Sequence, residues 1–139
     1  TSGNPFTDQE PWHSGWLELM KYTDLVMLDI KQIDEQEHIK LTGHSNKNIL
    51  AMARELSDMK KPVWICHVLV PDGSDKDEYL HRLADFIHTL SNVERVEVLP
   101  YHTLGKFKWE NLGLSYPLEG VNPPTQERID NARKILGAI

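Results

Sequence analysis

The sequence predicts an α/β fold: three parallel strands with helices outside them, arranged as a half-barrel or a small open sheet. Two observations carry this. Apolar runs over 24–31, 63–70 and 94–101 alternate with segments whose apolar residues recur at helical spacing, the pattern of βαβ units with a parallel sheet. The first and third runs also stop on groups able to bind a ligand or move a proton, Asp29 with Lys31 and then His102. Ligand sites of α/β proteins gather at the C-terminal ends of such strands.

Taken in order, Ser14 to Tyr22 sets Trp16, Leu19 and Met20 at helical spacing. The first strand, Asp24 to Lys31, follows, and side-chain alternation puts Met27, Asp29 and Lys31 on one face. A stretch rich in Gln, Glu and Asp then leads to a turn over Thr42 to Asn46. Asn46 is placed to cap a helix whose apolar stripe is Ile49, Met52, Ala53, Leu56 and Met59. After Pro62, Val63 to Val70 is almost continuously apolar, as a parallel strand covered on both faces would be. Pro71-Asp72-Gly73 makes a turn, and Ser74 with Asp77 matches a capping box. The helix behind that box turns Leu80, Leu83, Ala84, Ile87 and Leu90 inward. Glu94 to Tyr101 is the third strand, with Val98, Pro100 and His102 sharing a face. Thr103 to Asn122, with Gly105, Gly113, Pro117 and Gly120, reads as a long irregular segment, and such segments in compact domains are functional or disordered. Pro123-Pro124-Thr125 starts a last helix with Ile129, Ala132, Leu136 and Ile139 on one side.

The 139 residues match one ordinary domain, and a net charge of -6 without a Lys/Arg cluster argues against nucleic acid as a partner. No apolar run approaches the length of a bilayer span and none reads as a signal peptide. Cys66 is the only cysteine, so an intrachain disulfide and a cysteine-built metal site are both excluded, and a reducing, cytoplasmic setting is expected. The opening Thr1-Ser2-Gly3-Asn4-Pro5 lacks an initiator Met and reads as a loop inside a longer chain.

Asp29 and Lys31 are the sharpest local pair. They offer an anion and a cation on one face, suited to a zwitterionic or sugar-bearing ligand or to an ion pair closing a buried strand. His102 ends its strand either as a ligand-binding group or as a structural hydrogen-bonding residue. Cys66 and His67 point to opposite faces, so they do not form a nucleophilic pair, and Cys66 reads as an inert buried thiol. His38 and His44 lack the spacing of a helical zinc pair.

Several segments taken jointly carry a resemblance: Tyr22-Thr23-Asp24-Leu25-Val26-Met27-Leu28-Asp29-Ile30-Lys31-Gln32, Val63-Trp64-Ile65, and Val98-Leu99-Pro100-Tyr101-His102 with Leu104-Gly105-Lys106 and Lys108-Trp109. Over nearly its whole length the chain resembles the radical S-adenosylmethionine glycyl-radical activases. The resemblance implies the C-terminal half of a (β/α)6 partial TIM-type barrel, holding the last three βα units of the domain in residues 1–139. It implies S-adenosylmethionine and a [4Fe-4S] cluster as cofactors of the parent enzyme. It also implies hydrogen abstraction by a 5′-deoxyadenosyl radical, leaving a glycyl radical on pyruvate formate-lyase, with a donor such as flavodoxin supplying the electron. The cluster motif, Cys-x-x-x-Cys-x-x-Cys, is absent from this sequence.

Three positions carry over from the family. Asp29 and Lys31 match residues beside S-adenosylmethionine, and His102 matches an adenosyl-side histidine. Asp29 and the Met27 backbone would also face a monovalent cation, and Thr1-Ser2-Gly3 resembles the tail of an Asp-Thr-Asn-Gly strand ending. Members often carry Arg where Cys66 stands and Gly where Asp72 stands.

Two other readings remain open at this point. One is a Schiff-base lyase or aldolase with Lys31 as nucleophile and Asp29 or His102 as proton carriers. The other is a non-enzymatic module that docks on the lyase through Thr103–Asn122. A half-barrel is expected to self-associate, since it leaves a sheet edge and apolar surface uncovered.

Overall fold

The computed structural model describes residues 1–138; Ile139, assigned by periodicity to the inner side of the last helix, lies outside the described residues. Helix α1 (Trp12–Lys21) precedes strand β1 (Val26–Asp29), and helices α2 (Glu35–Thr42) and α3 (Lys47–Asp58) lead to β2 (Val63–Leu69). Helix α4 (Asp77–His88) connects to β3 (Val93–Pro100); a 3-10 turn (Thr103–Gly105), α5 (Lys106–Asn111) and α6 (Gln126–Leu136) complete the chain. The sheet is fully parallel in the order β1-β2-β3. This is the α/β architecture of parallel strands and outer helices that the sequence predicts.

Alternation along the strands divides the sheet into two unlike faces. Val26, Leu28, Val63, Ile65, Leu69, Val96 and Val98 are buried in one core with Ile49, Met52, Leu56, Leu80, Leu83 and Ala132 from the helices. The opposite face carries Met27, Asp29, Trp64, Cys66, Val68, Arg95, Glu97 and Leu99, of which Met27 and Leu99 are exposed. The expectation that helices cover β2 on both faces is therefore corrected: its apolar run is buried on one side, and on the other Trp64 and Val68 are half-buried.

Several local expectations shift. The regular part of β1 stops at Asp29, so Lys31 lies just beyond it, although Ile30 N–H still reaches the Cys66 carbonyl at 2.9 Å. The polar stretch after β1 is a helix, α2, capped by Asp34, whose carboxylate accepts from the Gln36 and Glu37 amides. Asn46 does occupy the cap position of α3 but makes no side-chain cap; its amide donates instead to the Gln32 and Ile33 carbonyls at 3.1 and 2.8 Å. The capping box is also corrected, because Lys76 stands at the cap of α4, while buried Ser74 accepts from Val70 N–H and donates to the Val68 carbonyl. Within the segment read as irregular, residues 103–111 form the 3-10 turn and α5.

The N-terminal residues are tied to the free side of β1. Thr1 donates to the Met27 carbonyl at 2.7 Å, and Asp29 N–H donates to the Thr1 carbonyl at 2.9 Å, the pattern of a parallel bridge centred on Leu28. Gly3 holds the next bend at φ +65°, where a Cβ would stand 3.0 Å from Leu28 Cδ1 and 3.2 Å from Met52 Sδ.

Candidate functional site

The open face of the sheet orders its side chains in rows. Met27, Trp64 and Arg95 share one level across the three strands, and Asp29, Cys66 and Glu97 share the next. Each carboxylate brings its own cation from the same strand end. Lys31 Nζ donates to Asp29 Oδ2 at 2.8 Å, and Arg95 pairs with Glu97 at 2.9 Å while its guanidinium lies 5.0 Å over the Trp64 ring. Cys66 sits between the two acids. Burial pushes its thiol pKa up, and the Glu97 and Asp29 charges reinforce the shift, so the residue stays a protonated, unreactive thiol.

Asp29 is only half satisfied. Its Oδ2 holds Lys31, but Oδ1 is buried without a partner. The pair opens onto a cavity of about 110 Å³ whose walls include Ser2, Asn4, His38 and Thr42. Lys31 also borders a second hollow of about 210 Å³ with Val68, Val70, Tyr101 and Leu118. A larger hollow, about 500 Å³, lies elsewhere, between α1, the N-terminal segment and β1, and its walls are mainly apolar. No titratable side chain lines it, so it offers packing surface rather than chemistry.

His102 lies apart from this pair. The register puts Glu97, not His102, level with Asp29. Five residues of extended chain separate Glu97 from His102, an offset of at most roughly 16 Å. His102 is exposed and follows the end of β3, where its Nδ1 accepts from Leu104 N–H at 3.3 Å and caps the 3-10 turn. In the neutral ring that leaves Nε2–H free to donate outward. Its alternation partner Val98 faces the helices, so the strand pattern alone does not bring His102 to the Asp29 face. The Met27 carbonyl, expected beside a cation, accepts from Thr1 N.

The segment after His102 is anchored at two points. Tyr101 and Tyr116 share a hydrogen bond between their hydroxyls at 2.7 Å, and burial together with that bond pushes the Tyr101 pKa up to about 12. Lys106 donates to Glu119 at 2.8 Å. Leu104, Phe107, Leu112 and Leu114 stand exposed around these anchors. The Lys31 amine, the nucleophile of the Schiff-base reading, is ion-paired with Asp29.

Sequence reasoning missed His38. Its ring is 2% exposed, its Nε2 is buried with no partner among the described residues, and the residue borders the Asp29 cavity. Apolar periodicity gives no signal there, since His38 is the one buried residue of α2.

Comparisons with known proteins converge. The chain is 60% identical over 119 residues to the pyruvate formate-lyase-activating enzyme of Streptococcus mutans serotype c, covering 86% of this chain and 45% of that protein. It is 54% identical over 136 residues to the enzyme of the same name from Staphylococcus epidermidis, and 51% identical over 136 residues to that from Staphylococcus aureus strain USA300; each match covers 98% of this chain and 54% of the relative. The chain thus spans about half the length of the curated relatives it matches, as a C-terminal portion of them. A crystal structure of a domain of pyruvate-formate lyase-activating enzyme from Bacteroides vulgatus superposes with a TM-score of 0.71 at 21% identity, over 86% of this chain and 65% of that one, a likeness of fold. No family model matches the chain.

Proposed function

The chain belongs to the family of the pyruvate formate-lyase-activating enzymes as a counterpart of their C-terminal portion, and from that premise we propose that it forms the last three βα units of a radical S-adenosylmethionine domain. In this reading the parent enzyme installs a glycyl radical on pyruvate formate-lyase, with an electron donor such as flavodoxin. This portion supplies one wall of the S-adenosylmethionine site.

The observation that carries the reading is Asp29, held at its strand end with one oxygen on Lys31 and the other buried and unmatched beside a cavity. A buried acceptor without a donor calls for a partner from outside the fold, such as a water, an ion or a ligand. Asp29 would accept from the ligand, Lys31 would hold the carboxylate in place and face anionic groups, and His102 Nε2–H would donate to the adenosyl side. The wide offset between Asp29 and His102 suits an extended ligand made of a nucleoside and an amino acid. Asp29 and the Met27 backbone would also face a monovalent cation. S-adenosylmethionine, when bound, supplies the hydrogen-abstracting chemistry.

The iron-sulfur cluster does not fit this chain. Cys66 is the only cysteine and faces two carboxylates, which repel the anionic thiolate that a cluster requires. The chain alone is therefore expected to bind but not to turn over. Calorimetric titration of S-adenosylmethionine into the chain tests the site: Asp29→Ala and Lys31→Ala should each weaken binding at least about tenfold, and His102→Ala about threefold to tenfold. Affinities unchanged by all three variants would overturn the assignment. Production of 5′-deoxyadenosine above blank, when the chain is given iron, sulfide, S-adenosylmethionine and a reductant, would overturn its inactivity.

A further inference from the structure

Lys31 stands in a gap between two regular elements. The ladder with β2 reaches Ile30, whose N–H donates to the Cys66 carbonyl at 2.9 Å, and α2 begins only behind its cap, Asp34. Between the two, side chains hold the backbone. His67 Nδ1 donates to the Ile30 carbonyl at 2.8 Å, since a carbonyl only accepts. Gln32 Oε1 accepts from Asp34 N–H at 3.1 Å, and Asn46 Nδ2 donates to the Gln32 and Ile33 carbonyls. Gln32 Nε2 reaches to the Gly73 carbonyl at 2.8 Å, 41 residues away in sequence.

These side chains are almost fully enclosed: Gln32 is 1% exposed, His67 and Asn46 2% each. Burying polar groups is costly unless each finds its partner, so a cluster of them specifies a backbone path that apolar packing would leave loose. Alternation gives the direction of the grip. Ile30 and Gln32 are buried, and Lys31 between them projects to the opposite face, where its Nζ meets Asp29 at 2.8 Å. Lys31 is thus held from behind, through its two neighbours. The far ends of the grip lie in β2 and the turn after it. His67 is a residue of β2, and Gly73 precedes Ser74, whose hydroxyl bonds both Val70 N–H and the Val68 carbonyl. The end of β1 and the turn behind β2 form one buried polar unit.

We propose that Gln32 and His67 are positioning residues for Lys31, fixing the strand end so that the ammonium stays on Asp29 and toward the ligand. This rests on the reading of the Asp29–Lys31 end as part of the S-adenosylmethionine site and adds the two groups that set its geometry. Both lie on the buried side of the chain, so they act through the backbone of residues 30–32 and not by touching the ligand. A cation on a long flexible stem keeps its direction only where its backbone is locked.

The test pairs calorimetric titration of S-adenosylmethionine with thermal unfolding of the same chains. Gln32→Met removes the amide at nearly constant length, and His67→Leu removes the donor to Ile30. Each should weaken binding about threefold to tenfold when measured well below its own midpoint. His67→Gln retains a donor for Ile30 and should bring the affinity back to within about twofold of wild type. Ser57→Ala is the comparison. It breaks a buried bond of the same kind, to Ser91 ahead of β3 at the other end of the sheet, and should lower the midpoint without moving the affinity. Where His67→Leu does not fold, Gln32→Met carries the same comparison. Affinity that falls no further in Gln32→Met and His67→Leu than in Ser57→Ala would overturn the proposal, as would His67→Gln binding no better than His67→Leu. Binding weakened by Lys31→Ala but not by Gln32→Met would overturn the positioning and leave the site reading standing. Lys31→Ala without effect, or a chain that does not bind S-adenosylmethionine, overturns both.

Discussion

Mild acid should destabilise this fold through one histidine. His67 lies on the helix side of β2, 2% exposed, with Nδ1 donating to the Ile30 carbonyl at 2.8 Å and Nε2 3.4 Å from the Ser74 carbonyl. Burial holds its pKa below the ordinary value of 6.5, the two carbonyls opposing that shift only in part. The folded state thus binds a proton less readily than the unfolded chain. The stabilisation is complete above pH 6.5 and is lost as the pH falls from there toward the depressed folded value. Linkage limits the loss to about 1.4 kcal/mol per pH unit for a single group. Between pH 7.5 and 5.5 the chain should lose roughly 1 kcal/mol, which moves a urea midpoint by about 0.5 M at an m-value near 2 kcal/mol/M. Asp34 and Asp77 do not interfere, because neighbouring donors hold their carboxyls below the usual 3.8 and they act only in stronger acid. Urea unfolding followed by circular dichroism at pH 7.5, 6.5 and 5.5 measures it. His67→Gln retains a donor for Ile30 and should flatten the dependence. An equal pH slope in wild type and variant would refute the reasoning.

Three further outcomes follow from the packing. Gly3→Ala meets both a positive φ and the buried Leu28 side chain, so it should destabilise by about 1–3 kcal/mol and speed hydrogen exchange at Asp29 N–H, which donates to Thr1. Tyr101→Phe removes the bond to Tyr116, and limited proteolysis should then cut the 112–115 stretch faster while the sheet stays intact. Met27 and Leu99 on the open sheet face and Trp12 and Leu19 on α1 leave apolar surface uncovered, so sedimentation equilibrium should show a mass that rises with concentration; a monomer at every concentration would contradict this.

The parallel strands and the stripes of α3, α4 and α6 were legible because each buries a face with a regular period. Helix α2 was not, since its apolar residues do not repeat: Ile39 is 39% exposed and a histidine holds the buried position. Its ends did carry readable signals, Asp34 at the cap and Gly43 at φ +79° behind it. Helix α5 buries no residue at all, which removes any period to read. Ser74 matched a capping pattern but serves Val70 and Val68 instead, because short-range patterns do not reveal which backbone groups a buried turn leaves open. Asp29 and Lys31 were found from alternation, whereas His38 is tied to a carbonyl six residues away, a fact of the folded backbone.

The sheet order β1-β2-β3 repeats the order of the chain, so each strand arrives beside one already made. Neighbours in sequence become neighbours in space, so no crossover passes over an intervening strand. Each βα unit adds its strand beside the one before it, and no strand threads between two others. The Thr1 bridge on the outer side of β1 continues the same logic in the other direction. Growth of such a sheet is additive, and a βα unit is the increment by which it lengthens.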